Sequence, residues 1–156
     1  MGAHRRVGAV IGTTRPNPRF VRFFATFHRR IVRLTGGRLL TGFKGEPMIL
    51  LTTTGRKSGQ TRTWPLTGLR VGDGWAVAAS NGGHDHHPAW YLNLEADPSA
   101  TVQDGRRTVA VRARITEGAE RDDLYRRFED YLSNYTAYRE ATTRVIPVVL
   151  LEPRPE

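Results

Sequence analysis

The densest chemical signal in the chain is one short run, Thr52-Thr53-Thr54-Gly55-Arg56-Lys57-Ser58-Gly59-Gln60-Thr61-Arg62. Two glycines free the backbone to turn with its N–H groups converging. Arg56, Lys57 and Arg62 add positive charge, and Ser58 and the threonines add hydroxyls, a set that suits a phosphate or a carboxylate. The run is not a P-loop, because the G-x-x-x-x-G-K-[ST] spacing is absent and a strand follows rather than a helix. A solvated hairpin turn uses the same residue types, so composition leaves both readings open. A second run, Ala78-Ala79-Ser80-Asn81-Gly82-Gly83, ends a strand in small residues that would let a flat ring approach closely. A third, Pro88-Ala89-Trp90-Tyr91-Leu92-Asn93-Leu94, places Trp90 and Tyr91 where they could wall a planar ligand. Trp90 and Leu94 are also four apart on one helical face, as core residues would be. His84-Asp85-His86-His87 has ligand-type side chains, but they crowd one loop with no distant partner pair; a polar loop beside a cleft is the expected use, and no metal is expected.

The elements carrying these runs read mainly as strands. Met48 to Thr54 is a buried strand, Thr61 to Val71 a second, and Gly72-Asp73-Gly74 turns into a third over Trp75 to Ser80. Pro88 opens a short helix that Asp97-Pro98 ends. Ala100 to Gln103 and Arg106 to Ile115 form a hairpin, in which Val109, Val111, Ala113 and Ile115 alternate with more polar positions as a buried face would. A longer helix covers roughly Ala119 to Tyr138, and Val145 to Leu151 is a last strand. About six strands joined mostly by hairpins predict an α+β fold, a mostly antiparallel small barrel with helices packed outside it or plugging its ends. The missing β-α-β alternation argues against a dinucleotide-binding doubly wound sheet.

Upstream, residues 1–15 are rich in Gly and Arg and read as mobile. Phe20, Phe23, Phe24, Phe27, Ile31 and Leu34 then follow helical spacing among arginines, before Gly36-Gly37 stops the helix. Such a helix, within residues 16–35, suits contact with a membrane surface, and equally suits packing on the barrel, which needs the same apolar stripe. The expected division is therefore 1–37 and 38–156.

A length of 156 residues suits one core, and the absence of cysteine removes disulfides and thiolate chemistry. The net charge of +9 attracts anions of several kinds. No apolar run reaches the length of a membrane span and no secretory pattern opens the chain, so a cytoplasmic location is expected. No nucleic-acid motif is present, and the aromatics follow core periodicity rather than an exposed stacking row.

Taken in order, L-L-T-T-T-G-R-K-S-G-Q-T-R, A-A-S-N-G-G, H-P-A-W-Y-L-N-L and V-I-P-V-V-L-L-E-P resemble the deazaflavin-dependent nitroreductase family over roughly Gly45 to Pro153. The resemblance implies a split β-barrel related to FMN-binding barrels. It also implies coenzyme F420, a deazaflavin with a phosphodiester and a polyglutamate tail, and hydride transfer to an apolar acceptor such as a quinone, an activated alkene or a nitro compound. Carried over, it assigns Thr54, Gly55, Arg56, Lys57, Ser58 and Arg62 to the phosphate end of the coenzyme. Ala78, Ala79, Ser80, Asn81, Trp90 and Asn93 fall to its ring, and Thr67, Tyr131, Tyr135 and Tyr138 to the acceptor pocket, with Ser80 and Tyr138 as candidate donors to the acceptor. Thr67 stands where similar proteins often carry tyrosine, and Asn81 where they often carry lysine, so acceptor preference and coenzyme affinity do not carry over. An FMN- or haem-binding barrel, a carrier that binds without turnover, and a nucleic-acid module are the rival readings.

Overall fold

The computed structural model of the chain describes residues 48–155. The amphipathic segment within residues 16–35 and the proposed 1–37 unit lie outside the described residues.

The strands are β1 (Met48–Thr54), β2 (Thr61–Thr67), β3 (Leu69–Val71), β4 (Gly74–Ala78), β5 (Ser99–Asp104), β6 (Arg107–Ile115) and β7 (Val148–Pro153). The helices are α1 (Ala89–Ala96), α2 (Gly118–Tyr131) and α3 (Asn134–Glu140). All seven strands join one antiparallel sheet in the order β2-β1-β5-β6-β7-β4-β3. The sheet curls until β2, at one end of the order, approaches β4 near the other. This is the expected α+β split barrel.

Alternation along β4 and β7 organises two cores, because successive side chains in a strand face opposite ways. Trp75, Val77, Val149 and Leu151 point into the barrel with Ile49, Leu51, Val102 and Val111, and α1 covers them with Trp90, Tyr91 and Leu94. Ala76, Val148 and Leu150 point outward and are covered by Leu124, Tyr125 and Phe128 of α2 and Tyr135 of α3. Strands β4 and β7 are thus buried on both faces, which fits their near-continuous apolar sequence. Each large side chain so buried contributes about 1.5–3 kcal/mol relative to exposure.

Several expected boundaries shift, each for a physical reason. The strand expected over Thr61 to Val71 breaks at Gly68, where a Cβ would come within 3.1 Å of the Ile49 side chain. That break lets β2 stay on β1 while β3 pairs with β4, so one stretch of sequence serves both ends of the sheet. The expected long helix is two helices, since Leu132 is extended (φ −138°, ψ 119°) and lies outside both. The last strand starts at Val148 rather than Val145, which is 72 % exposed. Ile115, expected on the buried face, is 37 % exposed at the end of β6. The third strand ends at Ala78, and a short 3-10 turn, Asn81–Gly83, follows.

Candidate functional site

The basic turn between β1 and β2 is held from within. Gly55 N–H donates to Gln60 O at 2.7 Å, Gly59 N–H to Gly55 O at 2.8 Å, and Gln60 N–H to Ser58 Oγ at 3.2 Å. A Cβ at Gly55 would lie 2.8 Å from Ser58 Oγ and 3.0 Å from Gln60 O, and Gly59 has φ +68°, so both glycines are required by the turn. The flanking threonines brace it through a buried Thr52–Thr63 hydroxyl contact of 2.8 Å.

Asn93 of α1 fixes the turn from the side. Its Oδ1 accepts the Arg56 N–H at 3.1 Å, and its Nδ2 donates to Thr53 Oγ1 at 3.0 Å. Asn93 is only 4 % exposed, so both ends of its amide are spent on the protein. It positions the turn and does not line the cleft described next, where the sequence reading had set it beside the ring.

Arg56, Lys57, Ser58 and Arg62 are exposed around the turn, with Thr54 and Gly55 half-buried behind them. Among the described residues no carboxylate lies within ion-pair distance of Arg56, Lys57 or Arg62, whereas Arg114, Arg121, Arg126 and Arg139 each have one at 2.9–3.1 Å. Arg106 and Arg107, at the β5–β6 turn, are as unanswered as the three. Charge alone therefore does not mark the site; the cleft beside Arg56 does.

That cleft has a volume of about 650 Å³. Arg56 stands in its wall, with β2 from Trp64 to Thr67, the end of β4 at Ala78, Ser80 and Asn81, the start of α1 with Trp90, and Tyr135 and Tyr138 of α3. Eight of the residues expected at the site thus converge: Arg56, Thr67, Ala78, Ser80, Asn81, Trp90, Tyr135 and Tyr138. Ala79 does not join them, because its side chain is 0 % exposed in the barrel core. Tyr131 packs against the outer core rather than the cleft. Trp90 serves twice, as a buried core residue and as cleft wall.

The loop after β4 is tightly specified. Asn81 adopts φ +47° and its Nδ2 donates to His86 O at 3.1 Å, so this side chain is engaged by its own loop. Gly83, at φ +83°, lies so close to α3 that a Cβ would meet Ala141 Cβ at 3.0 Å and Tyr138 Cα at 3.2 Å. Arg144, in the segment before β7, donates to Ala79 O at 3.0 Å, Ser80 O at 2.9 Å and His84 O at 2.8 Å. No periodicity or motif in the sequence singles out Arg144. Trp64 and Leu66 are further cleft residues that the sequence does not single out, since β2 reads as an ordinary strand, while His86 and His87 line the cleft as expected of a polar loop beside it.

Burial raises the Tyr135 phenol above its usual range, with the Thr67 hydroxyl working against it. Tyr91 is pushed up to about 12 by burial and then by the Glu95 carboxylate. Both stay protonated near neutrality. The Tyr138 hydroxyl receives a hydrogen bond from Asn134 Nδ2 at 2.9 Å, which leaves its own proton to donate. Among the described residues no group of three or more His, Asp or Glu side chains is gathered as a metal site would need. No helix among them is long and apolar enough to cross a membrane.

An antiparallel split barrel with a cationic turn beside an aromatic-walled cleft defines a class, the split-barrel flavin and deazaflavin oxidoreductases. Comparison with known proteins narrows it. The profile of the F420H(2)-dependent quinone reductase family matches residues 24–153. The F420H(2)-dependent quinone reductase Rv1261c of Mycobacterium tuberculosis is 38 % identical over 133 residues, which cover 81 % of this chain and 88 % of that protein. The solved structure of the F420-H2 dependent reductase FDR-A superposes with a TM-score of 0.63 at 39 % identity, over 68 % of this chain and 94 % of that one. A heme-binding protein from Mycobacterium smegmatis shares the fold alone, at 18 % identity and a TM-score of 0.53 over 69 % of this chain and 46 % of its own. The chain belongs to the F420H2-dependent quinone reductase family. It is an F420H2-dependent oxidoreductase, and coenzyme F420 is its cofactor.

The residues present fit that coenzyme. The turn would offer the coenzyme's phosphodiester and carboxylates three cations, Arg56, Lys57 and Arg62, that have no carboxylate partner among the described residues. Trp64 Nε1 is buried in the cleft wall with no hydrogen-bond partner among the described residues, a donor that a ring carbonyl would satisfy.

Proposed function

We propose that this chain binds reduced F420 with its phosphate on the β1–β2 turn and its ring in the 650 Å³ cleft, and reduces a quinone held between the ring and α3. Enones and nitro compounds are accepted by the same pocket where their shape allows. The observation that carries this reading is the Asn93 bridge, which makes the basic turn and the Trp90 helix one rigid unit facing one cleft.

When bound, reduced F420 supplies a hydride, because its ring has carbon where a flavin has N5. The protein supplies position and electrostatics. Arg56, Lys57, Ser58 and Arg62 neutralise and orient the phosphate end. Ala78, Ser80, Asn81 and Trp90 border the slot for the ring. Thr67, Tyr135 and Tyr138 shape the acceptor end, and Tyr138 O–H and Ser80 Oγ–H, both in the cleft lining, donate to an acceptor oxygen as it gains negative charge. Alignment contributes more than any single acid, since effective molarity falls steeply with misplacement.

Titration with oxidised and reduced F420, with FMN as control, followed by reoxidation with quinones, enones and nitroaromatics, tests the reading. Preferential F420 binding with quinone-driven reoxidation is expected. Equal or tighter FMN binding rejects it, and F420 binding without reoxidation by any acceptor turns the protein into a carrier.

A further inference from the structure

Arg144 makes one contact that the mechanism above does not use. Besides its three carbonyl contacts, its Nη1 lies 3.0 Å from His87 Nδ1. Beside it, Thr142 Oγ1 donates to Asp85 Oδ1 at 2.9 Å and accepts the Arg144 N–H at 3.3 Å. The segment before β7 therefore grips the loop over 79–87 at Ala79, Ser80, His84, Asp85 and His87.

An arginine side chain has five N–H donors and no acceptor. The contact to His87 Nδ1 requires a lone pair on that nitrogen, which leaves the imidazole proton on Nε2. Protonating the ring would set N–H against N–H and put a second positive charge beside the guanidinium. The ring is also held in orientation by a tilted contact with Tyr91, centroids 4.6 Å apart and planes 44° from parallel. His87 lines the cleft together with Pro88 and Trp90.

We propose that Arg144 is a positioning residue that fixes His87 as a neutral Nε2–H donor in the cleft wall, serving a carbonyl oxygen of the molecule bound there. The charged and titratable groups around the ring agree. Burial first, and Arg144 second, lower its proton affinity from the usual 6.5, while the Glu95 carboxylate opposes them; Tyr91 beside it stays a phenol, and His84 and His86 share its loop. A neutral donor strengthens its bond as charge grows on the oxygen without giving up a proton. The carbonyl belongs either to the coenzyme ring or to the quinone. That choice rests on the proposed function, whereas the tautomer does not.

The test begins on the wild-type protein without coenzyme. Long-range 1H–15N correlation spectra separate the two neutral imidazole tautomers and the cation, and His87 is assigned by its loss in His87→Gln. The expected pattern at about pH 7 is protonated Nε2 with bare Nδ1. A protonated Nδ1 or a cationic ring overturns the proposal. Arg144→Lys keeps the charge and loses the fork, and is expected to give mixed tautomers; an unchanged pattern removes Arg144 from the role. His87→Leu is expected to cost about tenfold in one of two constants. A weaker F420 affinity assigns the donor to the ring, and a lower kcat/KM for quinone at unchanged F420 affinity assigns it to the acceptor. His87→Gln should restore most of that loss. If His87→Leu alters neither, the donor role is wrong. A wild-type protein that binds no F420 rejects the proposed function, while the tautomer spectra still decide this proposal.

Discussion

The side-chain oxygen of Asn93 accepts the backbone N–H of Arg56 at 3.1 Å, joining a residue of α1 to the apex of the β1–β2 turn. The same amide donates to Thr53, so one buried side chain satisfies two otherwise stranded groups of the turn. The basic turn and the aromatic helix are therefore tied together by one side chain. Asn93→Ala should destabilise the protein by about 1–3 kcal/mol, because it leaves a buried hydroxyl and a part-buried N–H unpaired. It should also weaken F420 binding without touching the coenzyme. Urea unfolding and an F420 titration of the same variant check both; intact stability with intact affinity would contradict the bridge.

The opposite signature is expected of the cations. Arg62 and Lys57 are exposed and without carboxylate partners among the described residues, so Lys57→Ala with Arg62→Ala should change stability by less than about 0.5 kcal/mol. F420 affinity should fall steeply, and the salt dependence of binding should flatten, since fewer charges are left to screen. Fluorescence titration at two ionic strengths measures this.

Gly83 packs on α3 with no room for a side chain. Gly83→Ala adds a methyl 3.0 Å from Ala141 Cβ at φ +83°, a backbone conformation that costs a non-glycine residue about 1–3 kcal/mol. The strain should be relieved by moving α3, and with it Tyr138, away from the cleft. A lower Tm together with a raised KM for quinone, and little change in F420 affinity, is the expected result.

Tyr138→Phe removes a hydroxyl that Asn134 Nδ2 now reaches at 2.9 Å from an exposed position. Stability should hold, and turnover should fall by about tenfold or less, the worth of one hydrogen bond to developing charge. Steady-state kinetics with one quinone and saturating F420H2 suffice.

His87 also gives a pH dependence of stability. Its folded proton affinity lies below the ordinary 6.5, so the unfolded chain binds the proton more readily. The contribution is complete above about 6.5 and is lost as pH falls from there through the lower folded value. His87→Gln should flatten the stability curve over that acidic window, as read by urea midpoints across pH. An unchanged curve would mean the ring titrates normally.

Local order was legible wherever neighbouring residues fix the backbone. The Gly55–Gly59 turn, the start of α1 after Pro88, and the hairpin at Gly72-Asp73-Gly74 follow from φ preferences and missing side chains, which act over a few residues. The antiparallel barrel followed from hairpin spacing, and the cofactor class from the family resemblance that the motifs carry together. What the sequence could not specify were relations across distance. Gly68 breaks a strand because Ile49 crosses it, Leu132 splits a helix whose apolar spacing runs on, and Ala79 turns into the core while Ala78 and Ser80 face the cleft. The family resemblance puts Asn93 beside the ring, whereas the fold makes it the brace of a turn 37 residues away. Arg144 reaches Ala79 and Ser80 from the far end of the chain and carries no local signature at all. Residue type decides what a side chain can donate or accept, but only the folded sheet decides which partner stands within 3 Å of it.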